Sequence, residues 1–444
     1  MHRAPALVLF FLISYSPILR GQSTNASLSG RVTDPAKALI SHAKVAVINT
    51  ATNFHYDTTT NASGEYYLTN LPPGLYRVEI EKPGFKKLIK PDVTLHVQDA
   101  LAIDFELTLG DVSETLTVEA GLLPVETASG TVSTVIDQTF VDNIPLNGRS
   151  FQTLIMLTPG VVVTATAFDD QGQFSVNGQR ADANYFTVDG VGANFGVSGY
   201  TPLVQAAGGA LPALSASGGT NSLVSVDAMQ EFRIQTSSFA PEFGRTPGGQ
   251  ISIVTRSGTN SFHGTLFDYF RNSVLDANDW FSNFQHLPKP GDRQNDFGGV
   301  VGGPVFKDKT FFFFSYEGLR LRQPLAQESV VPCDSTCQTF GNARTTATTA
   351  IQPYLNAYPV PNGPEVFNSC TPNVNGCPAS GQQPTGLAQF NGSYSNPASL
   401  DAYSIRIDQV TNPKLILFGR YDYSPSSTEQ RGPLAFGGVV LSAT

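Results

Sequence analysis

Charge is scarce in this chain. Across 444 residues, Asp, Glu, Lys and Arg make up 14%, against roughly a quarter in an ordinary soluble domain. No run of Lys and Arg occurs and the formal net charge is −9. Nucleic-acid binding needs a clustered basic surface, so that partner class is set aside. Long apolar runs are missing beyond the first residues, so no later segment reaches the length of a membrane helix. A β-barrel stays open, because its strands need only about 9–11 alternating residues. Catalytic motifs are missing too. There is no Gly-Lys pair for a phosphate loop and no Gly-x-Ser-x-Gly elbow, and Gly190-x-Gly192 lies in a loop rather than between a strand and a helix. None of His2, His42, His55, His96, His263 and His286 has a Glu three residues on, which removes a His-x-x-Glu zinc pair. No enzyme, cofactor or metal site is expected.

Cysteine is also sparse. The four fall as Cys333-x3-Cys337 and Cys370-x6-Cys377. A zinc site wants tighter pairs or nearby His. In an exported chain the four are candidates for two disulfides within one loop. Export is itself expected. Residues 1–22 carry a short basic start (His2, Arg3) and an apolar run from Ala4 to Leu19, cut short by Pro17 and Arg20, with Gly21 as a cleavage point.

What is plentiful is Gly (41), Pro (30), Phe (30) and Tyr (15), the profile of short strands, tight turns and displayed aromatics. Residues 25–110 alternate with a period of two at Val45 and Val47, at Tyr76, Val78 and Ile80, and most cleanly at Ile103, Phe105, Leu107 and Leu109. Turns fall at 61–64, 72–74 and 83–84, so a small β-sandwich is expected. Four pieces, Gly30-Arg-Val-Thr-Asp34, Ala43-Lys-Val-Ala-Val47, Thr60-Asn-Ala-Ser-Gly-Glu-Tyr66 and Leu71-Pro-Pro-Gly-Leu-Tyr76, resemble the carboxypeptidase regulatory-like domain. The resemblance implies a transthyretin-like sandwich. Its role here reads as a spacer before a carbohydrate binder, since no aromatic platform is recognisable from sequence.

Residues 111–120 follow, with Glu114, Thr115, Leu116, Thr117, Val118, Glu119 and Ala120 at their core. This stretch resembles the TonB box of TonB-dependent outer-membrane receptors, with Glu119 a mild departure. A β-prone segment suits the chemistry, because it adds a strand to a partner's sheet edge. A last strand of the sandwich is the competing reading. Residues 121–257 resemble the plug domain of the same receptors, in order: Val132-Ser-Thr-Val-Ile136, a short helix over 140–145, Leu154-Ile-Met-Leu-Thr-Pro-Gly-Val161, Phe174-Ser-Val-Asn-Gly-Gln-Arg180, Phe186-Thr-Val-Asp-Gly-Val191, Val226-Asp-Ala-Met-Gln-Glu-Phe232 and Gly248-Gly-Gln-Ile-Ser-Ile-Val-Thr255. Asp189 and Gly190 are a turn pair. Asn143-Ile-Pro-Leu-Asn-Gly-Arg149, Glu231-Phe-Arg-Ile-Gln-Thr236 and Asp308-Lys-Thr-Phe-Phe-Phe-Phe-Ser-Tyr-Glu-Gly318 are similar to the Oar-like branch. Residues 204–222 read as a Gly-, Ala- and Ser-rich loop.

From 258 to 444 the pattern is that of barrel strands, as at Tyr403, Ile405 and Ile407 against Ser404, Arg406 and Asp408. Long and short connections alternate, as external loops and periplasmic turns do. One connection of some 80 residues after Arg320 holds all four Cys. About five such strands cannot close a barrel where the resemblance implies about 22, so the chain reads as the front of a longer receptor. The expectation is a mainly β protein: a transthyretin-like β-sandwich, an α/β plug, and the first strands of an incomplete transmembrane β-barrel. The resemblance implies TonB, outer-membrane lipid and an unknown extracellular ligand, carbohydrate among the candidates, as partners, with Arg180 near the ligand. The alternatives are an Oar-like surface or adhesion protein without transport, and a carbohydrate-binding periplasmic module.

Overall fold

The computed structural model describes residues 24–110, 115–117, 129–144, 152–163, 174–180, 183–193, 224–239, 243, 246–278, 280–284, 289, 291–334, 347–373, 378–412, 415–428, 432–436 and 439–443. The expected signal peptide, most of 111–120 and the loop over 204–222 lie outside them. The chain forms two compact units: Met1–Thr265 with Gly299–Tyr316 and Ala402–Ser424, and Leu266–Gly298 with Glu317–Asp401 and Pro425–Thr444. No helix among the described residues is long and apolar enough to cross a membrane, which says nothing of strands.

The first unit opens with the sandwich. Its strands are β1 (Ala26–Thr33), β2 (Lys44–Asn49), β3 (His55–Thr59), β4 (Glu65–Leu71), β5 (Gly74–Glu81), β6 (Lys87–Leu95), β7 (Ala100–Ala102), β8 (Phe105–Glu106) and β9 (Thr115–Thr117). One sheet runs β4-β1-β7 with β8 also on β1, and the other runs β3-β2-β5-β6-β9. The alternating apolar positions meet between them, with Leu28, Val45, Val47, Tyr76, Val78, Ile80 and Leu95 buried. Ile103 to Leu109, the cleanest alternation, is not one strand. Within it only Phe105–Glu106 is strand, as β8, with a bridge from Leu109 to Phe85; β7 ends just before it. The break has local causes. The Ile103 carbonyl accepts from the Tyr66 hydroxyl (2.7 Å) and the Arg31 backbone N–H donates to the Asp104 carboxylate (2.8 Å), so two backbone groups at this point bond to side chains rather than to a neighbouring strand. A Cβ on Gly30 would lie 1.9 Å from the Ile103 oxygen, so only glycine allows that approach.

The plug follows as a mixed sheet in the order β10-β15-β16-β13-β14, from β10 (Val132–Asp137), β13 (Tyr185–Val188), β14 (Val191–Gly192), β15 (Met229–Ser237) and β16 (Gln250–Thr255), with a separate pair of β11 (Val161–Val163) and β12 (Phe174–Val176). A helix spans Gln138–Asn143, where the Asp137 carboxylate accepts from the Phe140 N–H and caps the first turn. It starts two residues before the expected 140. A second, Gln152–Ile155, ends before Gly160, whose φ of +82° suits glycine. Phe186, Phe232, Ile234, Ile251 and Ile253 are buried with Leu154 and Ile155, and Val300 and Phe313 close the same core. Burying an aromatic of this size contributes roughly 1.5–3 kcal/mol.

The barrel strands are β17 (His263–Asn272), β18 (Arg293–Phe306), β19 (Thr310–Pro332), β20 (Glu365–Ser369), β21 (Gln382–Asn412), β22 (Leu415–Tyr423) and β23 (Ser426–Thr428). Their order is β17-β18-β19-β21-β20, with β22 and β23 also on β21. The five expected strands all appear. Those flanking the 80-residue connection extend into it, so β19 has 23 residues and β21 has 31. The tight turn at 307–309 is closed by the Lys309 N–H on the Phe306 carbonyl, with Asp308 left-handed at φ +60°. On β19, Phe311, Phe313, Ser315, Glu317 and Leu319 are buried, while Phe314 and Arg320 are exposed.

Candidate functional site: the plug sheet, its clamps and the segment before it

Period-two alternation gives β15 two faces. Phe232 and Ile234 enter the plug core. Glu231, Arg233 and Gln235 face the other way and are also buried, beside Gln250 and Ser252 of β16. A buried charge needs a partner. The sandwich supplies it through the turn joining β6 to β7, His96–Asp99, where Gln98 takes a left-handed φ of +61°. Arg233 pairs with Asp99, the two side chains being 3% and 8% exposed. Glu231 accepts from the Val97 N–H and lies 2.7 Å from Nδ1 of His96. Gln98 donates to the Ser252 hydroxyl (3.0 Å) and accepts from the Gln235 amide (3.0 Å). The hydrogen bond to Glu231 raises the His96 pKa above the ordinary histidine range, against the opposing effect of burial.

The second clamp centres on Asp189. It sits with Gly190 in a two-residue turn, at φ +49° and +83°, between β13 and β14. Those angles suit a type I′ hairpin. Its carboxylate is 6% exposed and accepts from the Thr255 N–H (2.9 Å), the Thr255 hydroxyl (2.7 Å), Arg406 Nη1 (3.2 Å) and Arg420 Nη1 (2.9 Å). Burial would push this carboxyl up; Arg406 and Arg420 overcome that and hold it below the usual range. Arg406 also pairs with Asp408 and lies 4.8 Å from the Phe418 ring centroid, and Arg420 pairs with Asp422. A plug hairpin is thus tied to two adjacent barrel strands, β21 and β22.

The residues expected from sequence are not brought together in one pocket. Of 114–120, Thr115, Leu116 and Thr117 are described. They form β9, paired in parallel with Lys87, Leu88 and Ile89 of β6, as the sandwich's edge strand; Glu114, Val118, Glu119 and Ala120 lie outside the described residues. Arg180 is exposed just past the Asn177–Gly178 turn that follows β12. Cys333 and Cys370 are disulfide-bonded, while Cys337 and Cys377 lie outside the described residues. No group of metal-binding side chains occurs among the described residues. The sandwich does expose one aromatic that the sequence left unmarked: Tyr67, 63% exposed, on the face that carries the Arg31–Glu65 pair.

Comparison with known proteins follows this division. The outer membrane beta barrel domain matches residues 254–442, and the carboxypeptidase regulatory-like domain matches 27–108. The TonB-dependent transporter Oar of Myxococcus xanthus is 29% identical over 309 residues, which is 66% of this chain and 26% of that protein. The chain is similar to TonB-dependent outer-membrane receptors over two thirds of its length and carries an outer membrane beta barrel domain. It is a protein of the outer membrane, and it spans about a quarter of the length of the curated relative it matches. Solved structures similar to it include the outer membrane transporter YddB of Escherichia coli (TM-score 0.41, 12% identity, 67% of this chain and 33% of that one). The ferric enterobactin receptor of Pseudomonas aeruginosa gives TM-score 0.40 at 12% identity, over 68% of this chain and 33% of that one. Likeness that slight carries no functional argument.

Sequence reasoning missed both clamps. Asp189 was read as a turn residue, which it is, but its charge serves Arg406 and Arg420. The available signal was that both arginines occupy the polar positions of barrel strands beside a plug bearing an Asp-Gly turn. For the first clamp, the signal was a strand, Glu231-Phe-Arg-Ile-Gln235, with charges at alternate positions.

Proposed function

We propose that this chain carries the sandwich, plug and first barrel strands of a receptor that takes up an unidentified extracellular solute. Uptake is driven when TonB, the energy-coupling protein of the inner membrane, pairs with residues 114–120. The observation that supports this reading is the placement of Thr115–Thr117. They are a three-residue edge strand, directly ahead of the plug, on a parallel ladder. Among the described residues this ladder has three paired positions, whose hydrogen bonds are each worth about 0.5–1.5 kcal/mol net. A partner sheet offering a longer register competes with it readily. Leu116 is already 38% exposed.

Force applied to 114–120 passes along the chain to β10, which among the described residues is the edge strand of the plug sheet and pairs there with β15. β15 carries Glu231 and Arg233, so the load arrives at the strand that the sandwich holds. We place solute contact near Arg180, whose exposed guanidinium suits an anionic or hydroxyl-rich group. Carbohydrate remains one class for that solute, and no enzymatic step is assigned.

Deleting 114–120 in the full-length receptor should abolish uptake while cell-surface solute binding persists. Uptake that continues at the unaltered rate removes the coupling role of this segment. Surface binding without uptake in the unaltered receptor favours the adhesive reading.

A further inference from the structure

The sandwich meets the plug with one end. β5 runs antiparallel to both β2 and β6, so the connections after β2 and β6 and the connection before β5 share that end. All three touch the plug or the segment that follows it. Gln230 of β15 donates to the Pro73 carbonyl (3.1 Å), and the Asn260 N–H donates to the Ala51 carbonyl (2.9 Å). The His96–Asp99 turn makes the contacts to Glu231, Arg233, Gln235 and Ser252 described above. Asn260 also shows which side this is. Its side-chain amide donates to the Asp308 carboxylate (2.7 Å), and its Oδ1 accepts from the Asp308 N–H (2.9 Å). Asp308 lies in the tight turn between β18 and β19, and tight turns mark the periplasmic end of a barrel of this kind. The sandwich therefore covers the plug from the periplasmic side.

The face it covers is polar. β15 and β16 present Glu231, Arg233, Gln235, Gln250 and Ser252 there, all buried. Gln235 and Gln250 stand directly opposite each other on the two strands. Neither Oε1 atom meets a hydrogen-bond donor among the described residues. A permanently closed interface would satisfy such acceptors, because a buried acceptor without a donor keeps its full desolvation cost. Water supplies the donors as soon as the face is uncovered. The opposite face of the same strands is apolar, with Phe232, Ile234, Ile251 and Ile253 packed in the plug core, and exposing it would forfeit their burial. Separation thus falls between sandwich and plug rather than within the plug. A polar interface between two bodies with separate cores is the kind that permits relative movement.

We propose that the sandwich is a lid on the periplasmic face of the plug. It lifts as a body, parting Arg233 from Asp99 and Glu231 from His96, and leaves the plug core packed. Lifting uncovers a wall of amide, hydroxyl and charged groups, suited to a polar solute leaving towards the periplasm. That use of the wall rests on the uptake reading; the lifting itself does not.

The test uses the full-length receptor with Ser252→Cys, labelled by a fluorescent maleimide and read at position 252 by peptide mass spectrometry. Ser252 is buried under Gln98, so labelling follows the fraction of receptors with the lid raised. Asp99→Asn leaves the Arg233 charge without its carboxylate and should speed labelling about 100-fold, equivalent to about 3 kcal/mol. Ile253→Cys, on the apolar face of the same strand, should label slowly with or without Asp99→Asn. An unchanged rate at position 252 overturns the lid, and so does equal acceleration at position 253, which would mean that the whole plug loosens. Should Asp99→Asn fold poorly, amide exchange in the unaltered receptor decides. The Val97 N–H, whose acceptor Glu231 lies across the interface, should exchange faster than the central-strand amides of Val78 in the sandwich and Ile253 in the plug; equal protection at all three overturns the proposal. Neither readout involves a solute or TonB, so failure of the uptake reading leaves this test standing.

Discussion

Replacing Asp189 with alanine removes the acceptor on which two arginines and Thr255 converge. The carboxylate is 6% exposed, and the Arg406 and Arg420 side chains are 14% and 9% exposed, so water does not readily take its place. Removing one partner of a buried pair generally costs about 3–5 kcal/mol. Here each arginine keeps a second carboxylate, Asp408 or Asp422, which places the expected cost near the lower end, about 3 kcal/mol. Asp189→Asn should cost less, because its amide oxygen still accepts from Thr255. Denaturant-induced release of the plug in the purified full-length receptor, followed by pulse proteolysis, gives both values. A double-mutant cycle with Arg406→Met should return a coupling of about 1–3 kcal/mol. An Asp189→Ala variant within about 0.5 kcal/mol of the unaltered protein, the range of ordinary surface changes, would refute the clamp. The clamp should also survive acidification well. A depressed carboxyl contributes stability above its unfolded pKa and loses it only as pH falls through the lowered folded value.

His96 has the opposite sign. Its folded pKa is raised by Glu231, so its contribution is full below the ordinary histidine range and is lost as pH rises through the folded value. Amide exchange at Val97, corrected for intrinsic rates, should therefore quicken as pH rises through the raised folded value, and His96→Gln should flatten that dependence; an unchanged pH profile in the variant counts against the pairing. Gly248→Ala should destabilise the plug by about 1–3 kcal/mol, since its Cβ would lie 2.4 Å from the Ala183 carbonyl oxygen; thermal unfolding reads the loss, and an unaltered melting temperature contradicts it. Phe232→Ala empties part of the plug core and should cost about 3–5 kcal/mol by the same measurement, with a cost under about 1 kcal/mol the contrary result.

How far the sequence reaches follows from what each feature depends on. Leu415–Tyr423 lies where alternation put a strand, and Val132–Asp137 and Gln250–Thr255 lie where the resemblance to the plug put theirs. The Asp189–Gly190 turn was legible because left-handed backbone is a local demand. The run from Ile103 to Leu109 misled because alternation reports burial, and burial here coexists with the Tyr66 and Asp104 side chains taking backbone groups that a ladder would use. The two clamps were invisible for a different reason. Asp189 and Arg406 are 217 residues apart, and His96 and Glu231 are 135 apart. No periodicity links them, and only the fold makes the charges neighbours. The position of Thr115–Thr117 was left open between a coupling segment and a last strand of the sandwich. An edge strand that partners β6 through three residues is compatible with both, because strand addition is one chemistry whichever sheet receives it.

The most direct test is therefore of that exchange: binding of the TonB C-terminal domain to the full-length receptor, measured by calorimetry with the unaltered protein and with Leu116→Pro. Proline removes a backbone N–H from the segment and should disrupt the ladder offered to the partner. Measurable binding by the unaltered receptor that Leu116→Pro abolishes is the predicted result. Binding that is absent from the first, or equal in both, would contradict the coupling role and leave residues 115–117 as the closing strand of the sandwich.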